Sequence, residues 1–136
     1  MLSKGLFTSA KQSYATPKAL YAELNAEFDF NDDPCPISEP NPFYENDGLA
    51  REWNSRVFIN PPYGKEITKW IERAYREAQQ GKLIVLLIPS RTDTRWWHEY
   101  IMKADEIRFI KGRLKFGDSK DSAPFPSAIV VFRRTQ

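Results

Sequence analysis

Apolar and polar positions along this chain follow two periods. Between Lys65 and Gln80, the residues Ile67, Trp70, Ile71, Ala74, Tyr75 and Ala78 recur every three or four positions, which predicts an amphipathic helix stopped by Gly81. On either side lie continuous apolar runs, Val57-Phe58-Ile59 and Leu83 to Ile88, with the length and β-branched content of buried strands. Strand, helix and strand in that order predict a βαβ unit whose two strands run parallel. Upstream, Thr16-Pro17 reads as a helix start, with Thr16 at the cap, Pro17 at the first helical position and the helix ending near Phe28. Phe30 to Pro36 reads as a short strand or turn. Downstream, Arg95 to Lys103 reads as a short helix, and Ile107 to Ile110 and Ala128 to Phe132 as strands.

Between these elements the pattern lapses. Residues 1–13 read as a loose polar arm, and residues 37–56 as an irregular connection holding an Asn46-Asp47-Gly48 turn and a short helix from Leu49 to Trp53. Gly112 to Pro126 is a long loop carrying Arg113, Lys115 and Lys120, either a binding loop or simply a loose one. Asp32-Asp33-Pro34-Cys35-Pro36 describes a surface turn at least as well as a ligand site.

Composition narrows the picture. A chain of 136 residues makes one domain with one core. Cys35 and His98 are the sole cysteine and histidine, so neither an internal disulfide nor a zinc site is expected. No apolar run reaches the roughly 18 residues of a membrane span, and the N-terminus lacks a signal-peptide core, so a cytoplasmic protein without a membrane partner is expected. Four tryptophans suggest flat surfaces available for stacking. The net charge of +2 divides into −5 over residues 1–50, +3 over 51–90 and +4 over 91–136. An acidic front and a basic back suit a protein handling a cation at one and a polyanion at the other, although scattered solvated charge gives the same count. Nothing in the chain specifies an oligomeric state.

The most distinctive chemistry is Asn60-Pro61-Pro62-Tyr63, followed by Gly64, at the end of the first apolar run. Two consecutive prolines stop the strand because neither donates a backbone hydrogen bond. The turn therefore sits at the carboxyl end of a strand, where open α/β sheets bind ligands. Methyl transfer to the exocyclic amine of a planar substrate fits it. The Asn60 side-chain oxygen and the Pro61 carbonyl can accept the two N–H groups of an amine whose lone pair is otherwise delocalised, and Tyr63 can stack on the ring. The plainer reading is an Asn helix cap in a strand-to-helix turn.

Four strings in order, Phe58-Ile59-Asn60-Pro61-Pro62-Tyr63-Gly64, Pro89-Ser90-Arg91-Thr92-Asp93-Thr94-Arg95-Trp96, Ile107 to Leu114 and Ala123-Pro124-Phe125-Pro126-Ser127-Ala128, carry a resemblance. The chain resembles the phage-type DNA N6-adenine methyltransferases of the Dam group, from Ala15 to its end. The resemblance implies S-adenosylmethionine as methyl donor, double-stranded DNA as substrate and a flipped-out adenine. It places Asn60, Pro61, Pro62 and Tyr63 at the catalytic turn. Thr16, Pro17, Asp33, Pro34 and Asp47 fall beside the donor, whose sulfonium and ammonium groups suit carboxylates. With no separate recognition domain, DNA binding falls to the loops at the carboxyl edge of the sheet, with Arg91, Arg113 and Lys115 as the residues to test.

The implied fold is a reduced class I S-adenosylmethionine-dependent methyltransferase, Rossmann-like, with a mixed, mostly parallel sheet and helices on both faces. It is reduced because no Gly-x-Gly first loop is present and only 24 residues separate Cys35 from Asn60. The alternatives are methylation of RNA or of a protein amide or amine, and a non-catalytic DNA-binding protein that retains the fold.

Overall fold

A computed structural model describes residues 14–36, 47–117 and 120–133. The expected N-terminal arm, the prolines at 40 and 42 and Asn46 lie outside these residues. Among them the elements in chain order are α1 (Lys18–Phe28), α2 (Asp47–Ala50), β1 (Arg56–Ile59), α3 (Ile67–Gln79), β2 (Leu83–Pro89), α4 (Arg95–Glu99), a single 3-10 turn (Ile101–Lys103), β3 (Glu106–Phe109) and β4 (Ser127–Phe132).

The sheet is ordered β1-β2-β4-β3. β1 pairs parallel with β2, from Arg56 opposite Leu83 to Ile59 opposite Leu86. β4 pairs antiparallel with β2 and with β3. Three strands therefore share one direction, and the last strand is slotted in reversed between β2 and β3. The sheet is mixed and mostly parallel in strand direction, yet two of its three pairings are antiparallel. Asp32 adds an isolated parallel bridge to Val57 on the free side of β1, with the Phe58 N–H donating to the Asp32 carbonyl. Phe30 to Pro36 thus contributes one bridge rather than a full strand.

Side-chain alternation assigns the two faces. Phe58 meets Tyr21 of α1 at 5.2 Å between ring centroids, and Arg108, on the same face by register, ion-pairs with Glu27 of α1. On the opposite face Tyr75 of α3 meets Phe132 at 5.9 Å and Trp97 of α4 meets Phe109 at 6.3 Å. Helices therefore cover both faces, and β2 and β4 are buried almost end to end. α3 buries Ile67, Trp70, Ile71, Ala74 and Ala78. Each large apolar side chain removed from water contributes about 1.5–3 kcal/mol, against a few tenths for its exposed pairs Lys69–Glu66 and Arg76–Glu72. Burial, not surface charge, docks this helix.

Three sequence expectations need correction. α1 begins at Lys18, with Pro17 in the cap position and no side-chain cap, so the Thr16 hydroxyl is not used as a helix cap. The Asp47-Gly48 turn is instead the start of α2, which replaces the short helix expected from Leu49 to Trp53. The four tryptophans are not open stacking surfaces, because Trp53, Trp70, Trp96 and Trp97 are all buried. Trp53 stacks on Trp70 at 6.2 Å, donates its indole N–H to the Gly48 carbonyl and lies under the Arg73 guanidinium. Arg73 in turn donates to the Leu49 and Arg51 carbonyls and pairs with Glu77. This network orders the irregular chain between α2 and β1. Among the described residues, no helix is long and apolar enough to cross a membrane.

Gly48 allows the closest approach in this region. A Cβ there would lie 1.9 Å from the Pro34 carbonyl oxygen and 2.7 Å from the Trp70 ring. Gly48→Ala is therefore expected to destabilise the fold by about 1–3 kcal/mol, the usual cost of overpacking, read as a lower urea midpoint with an unchanged slope.

Candidate active site

β1 ends at Ile59, where Pro61 and Pro62 supply no N–H to continue a ladder, and Gly64 takes a φ of 114° that turns the chain into α3. Asn60 is left at the strand's carboxyl end with only 2 % of its surface exposed. It does not cap α3, whose cap position is Glu66 with no side-chain cap bond, so the plainer reading of this residue does not hold. Its amide nitrogen instead reaches back to the segment before α1, donating to the Tyr14 carbonyl and, at 3.0 Å, to the Thr16 hydroxyl oxygen. A backbone carbonyl only accepts, so these bonds fix which way the amide faces. The Asn60 Oδ1 then points away from them, buried and without a partner. An unpaired buried acceptor costs about 1–3 kcal/mol, so it marks a place where a donor is missing.

Ser90 Oγ and Ser127 Oγ are likewise buried and unpaired. Ser127 faces Pro89 across the β2–β4 ladder, and the Ser90 N–H donates to the Pro126 carbonyl. All three unsatisfied side-chain atoms among the described residues therefore gather at one edge of the sheet, the carboxyl ends of β1 and β2 and the start of β4. The pattern of apolar residues carries no hint of either serine, although both lie inside the strings that resemble the family.

Tyr63 is buried rather than open. Its hydroxyl donates to the Leu87 carbonyl, and its ring packs on Tyr14 at 5.3 Å and on Phe125 at 5.4 Å. Burial pushes its phenol pKa upward, with Tyr14 adding to the effect, so it stays protonated. A ring free to stack, as expected from the motif alone, is therefore not what this conformation presents. Tyr14 is the partly exposed ring of the cluster and also touches Phe116 at 5.0 Å and Phe125 at 5.5 Å. The Gly117 N–H donates to the Ala15 carbonyl and brings the loop after β3 onto the segment before α1. Sequence reasoning misses Tyr14, Phe116 and Phe125, because nothing in their spacing joins positions about a hundred residues apart.

Asp33 and Pro34 directly follow the isolated bridge between Asp32 and Val57 on the free side of β1. The close approach at Gly48 sets α2, whose first residue is Asp47, against Pro34. The two neighbouring acids differ. Asp32 accepts from both Arg51 terminal nitrogens and from the Asn54 N–H, and these bonds outweigh burial to hold its pKa low. For Asp33, burial is the leading cause of a pKa raised to about 6, with the Cys35 N–H lowering it and Asp32 adding to the rise. The nearby Tyr21 phenol is raised as well, by burial first and by Asp33 second. Burial pushes the Cys35 thiol up to about 12, so it is no nucleophile. A half-buried carboxyl whose charge the nearby Arg51 only partly offsets fits a cationic ligand.

Arg91, Arg113 and Lys115 are exposed, and no carboxylate pairs with any of them among the described residues. The Arg91 guanidinium lies over the Phe125 ring at 5.9 Å, and Lys115 directly precedes Phe116 of the same cluster in the chain. By contrast Arg51, Arg73, Arg95 and Arg108 are each tied to a carboxylate.

A family model described as DNA N-6-adenine-methyltransferase (Dam) matches residues 4–135. The chain is 28% identical over 114 residues to a DNA N-6-adenine-methyltransferase of Escherichia phage T1, a match covering 78% of this chain but 48% of that protein. It is 25% identical over 138 aligned residues to a DNA N-6-adenine-methyltransferase of Haemophilus phage HP1, covering 91% of this chain and 80% of that protein. The chain thus spans about half the length of the T1 relative. No solved structure matches it.

Asp33 gives a pH signature. The folded chain keeps this proton up to about pH 6, whereas the unfolded chain releases it near 3.8. The folded state therefore binds more protons between those values, and the stability this group contributes is lost as pH rises through about 6. Asp33→Asn cannot ionise. Its melting temperature relative to the parent is expected to climb from about pH 4 to about pH 7 and then level off, measured by thermal denaturation across that range.

Proposed function

The chain belongs to the DNA N-6-adenine-methyltransferase (Dam) family, and from that premise we propose that it methylates N6 of an adenine flipped out of double-stranded DNA, with S-adenosylmethionine as donor. The single observation that carries this reading is the free, buried Oδ1 of Asn60. An adenine amine is a pair of N–H donors with a delocalised lone pair. An acceptor held rigidly against it favours the pyramidal nitrogen that can attack, and costs no reorganisation at the moment of reaction. In this reading the Pro61 carbonyl takes the second N–H, and the prolines keep both acceptors in place without adding a competing donor.

The fold reading is a reduced class I methyltransferase domain. What supports it is the parallel β1–β2 pair, the Asp32 segment running parallel on the outer side of β1, and helices on both faces. The donor belongs at the Asp33, Pro34 and Asp47 edge, with the Thr16-Pro17 segment beside it. A cation suits the raised Asp33 carboxyl, because its charge favours the ionised form that burial disfavours. Bound there, the donor supplies a methyl group activated by its sulfonium charge. The adenine is received at the turn of Asn60 to Tyr63, where Tyr63 and its aromatic neighbours supply π-faces for a purine once the Tyr14 ring gives way.

Two outcomes test this assignment. Asn60→Ala is expected to lose about 10²–10³ in methyl transfer rate, the usual effect of removing one preorganised hydrogen-bonding group, with donor affinity and melting temperature little changed. The measurement is turnover on unmethylated DNA with labelled donor, beside donor binding by calorimetry. Changing Arg91, Arg113 and Lys115 together to Ala is expected to weaken DNA binding and flatten its salt dependence by about 0.9 log unit for each phosphate that is no longer neutralised. An unchanged slope would show that these loops face away from DNA.

A further inference from the structure

Asn60 is useful to an incoming amine only if its oxygen, not its nitrogen, faces it. Oxygen and nitrogen of an amide have nearly the same shape, so packing alone does not choose between the two orientations. Hydrogen bonding does. The Asn60 nitrogen donates to the Thr16 Oγ1 at 3.0 Å and to the Tyr14 carbonyl. Turned over, the amide would set its oxygen against the Tyr14 carbonyl oxygen and its NH₂ against an amine, while the Thr16 hydroxyl, able to donate as well as accept, would still pair. The Tyr14 carbonyl therefore sets the sense of the amide, and Thr16 holds its position. The backbone of the segment carrying these acceptors is itself held, since the Gly117 N–H donates to the Ala15 carbonyl at 2.9 Å, whatever the Tyr14 ring does.

We propose that Thr16 is a positioning residue for methyl transfer: its hydroxyl holds the Asn60 amide in place, in the sense that the Tyr14 carbonyl sets, so that Oδ1 stays free for the substrate amine. The inference rests on the reading of Asn60 given above. It gives the Thr16 hydroxyl a role toward the catalytic amide, which is different from holding the donor. Sequence shows only that Thr16 precedes a proline and a helix. The hydrogen bond spans 44 positions and exists only once the segment before α1 folds over the end of β1.

Thr16→Val keeps the shape and removes the oxygen. At saturating donor and DNA its kcat is expected to fall about tenfold, the equivalent of one hydrogen bond, while the Kd for S-adenosylmethionine stays within about twofold of the parent. Thr16→Ser restores the oxygen and is expected to recover most of the rate. A second readout needs no turnover: the Asn60 side-chain amide protons, assigned by their absence in Asn60→Ala, should exchange with water slowly in the parent and in Thr16→Ser, and fast in Thr16→Val. Parental kcat with parental exchange in Thr16→Val overturns the proposal. So does a loss of donor affinity at unchanged kcat, which would make Thr16 a donor ligand. If Asn60→Ala itself turns over normally, the reading of Asn60 fails first. A dead Asn60→Ala beside an unaffected Thr16→Val removes the role of Thr16 alone.

Discussion

An amide is buried cheaply only when both its donor and its acceptor find partners, and Asn60 finds them for the nitrogen alone. Much of the local structure follows from holding that amide where it is. β1 must end beside β2 so that Asn60 falls at the carboxyl edge of the sheet, and the two prolines end it there. The segment before α1 must cross the same edge to supply acceptors. The loop after β3 must then close over that segment, which Gly117, Phe116 and Phe125 accomplish. Tyr63 ties the turn to the next strand through the Leu87 carbonyl. A turn only a few residues long is thus supported by three separate stretches of chain.

Charge is sorted in space more than along the chain. The acidic front is partly neutralised by residues from elsewhere, Asp32 by Arg51 and Glu27 by Arg108. Such pairs, exposed on at least one side, contribute little stability each. Their larger consequence is subtraction. They remove part of the scattered charge from play, while Arg91, Arg113 and Lys115 are among the described cations that no carboxylate pairs with. An exposed set of cations suits a polyanion.

The βαβ unit, the proline turn after β1 and the two terminal strands are legible in the sequence because local signals agree there: a helical period in α3, continuous apolar runs in β1 and β2, and prolines between. The reversal of β4 between β2 and β3 is not, since Ser127 to Phe132 reads the same in either direction and only long-range pairing sets it. Thr16 looks like a helix cap because Thr before Pro is a common start, but the Asn60 amide takes its hydroxyl and α1 begins two residues later. The tryptophans look like stacking platforms by number, yet a small domain needs them in its core. Asp33 looks like half of a surface acid pair. Its burial comes from its surroundings near Tyr21 and from the close approach at Gly48 that packs α2 onto Pro34.

The central claim is that the free oxygen of Asn60 serves an adenine amine in DNA. Its most direct test is to identify the product. Purified protein is incubated with methyl-labelled S-adenosylmethionine and unmethylated duplex DNA, the DNA is digested to nucleosides, and the label is located by mass spectrometry. The account predicts that the label appears in N6-methyladenine. Label in cytosine, transfer to RNA or protein in place of DNA, or no transfer by a folded chain that binds the donor would contradict it.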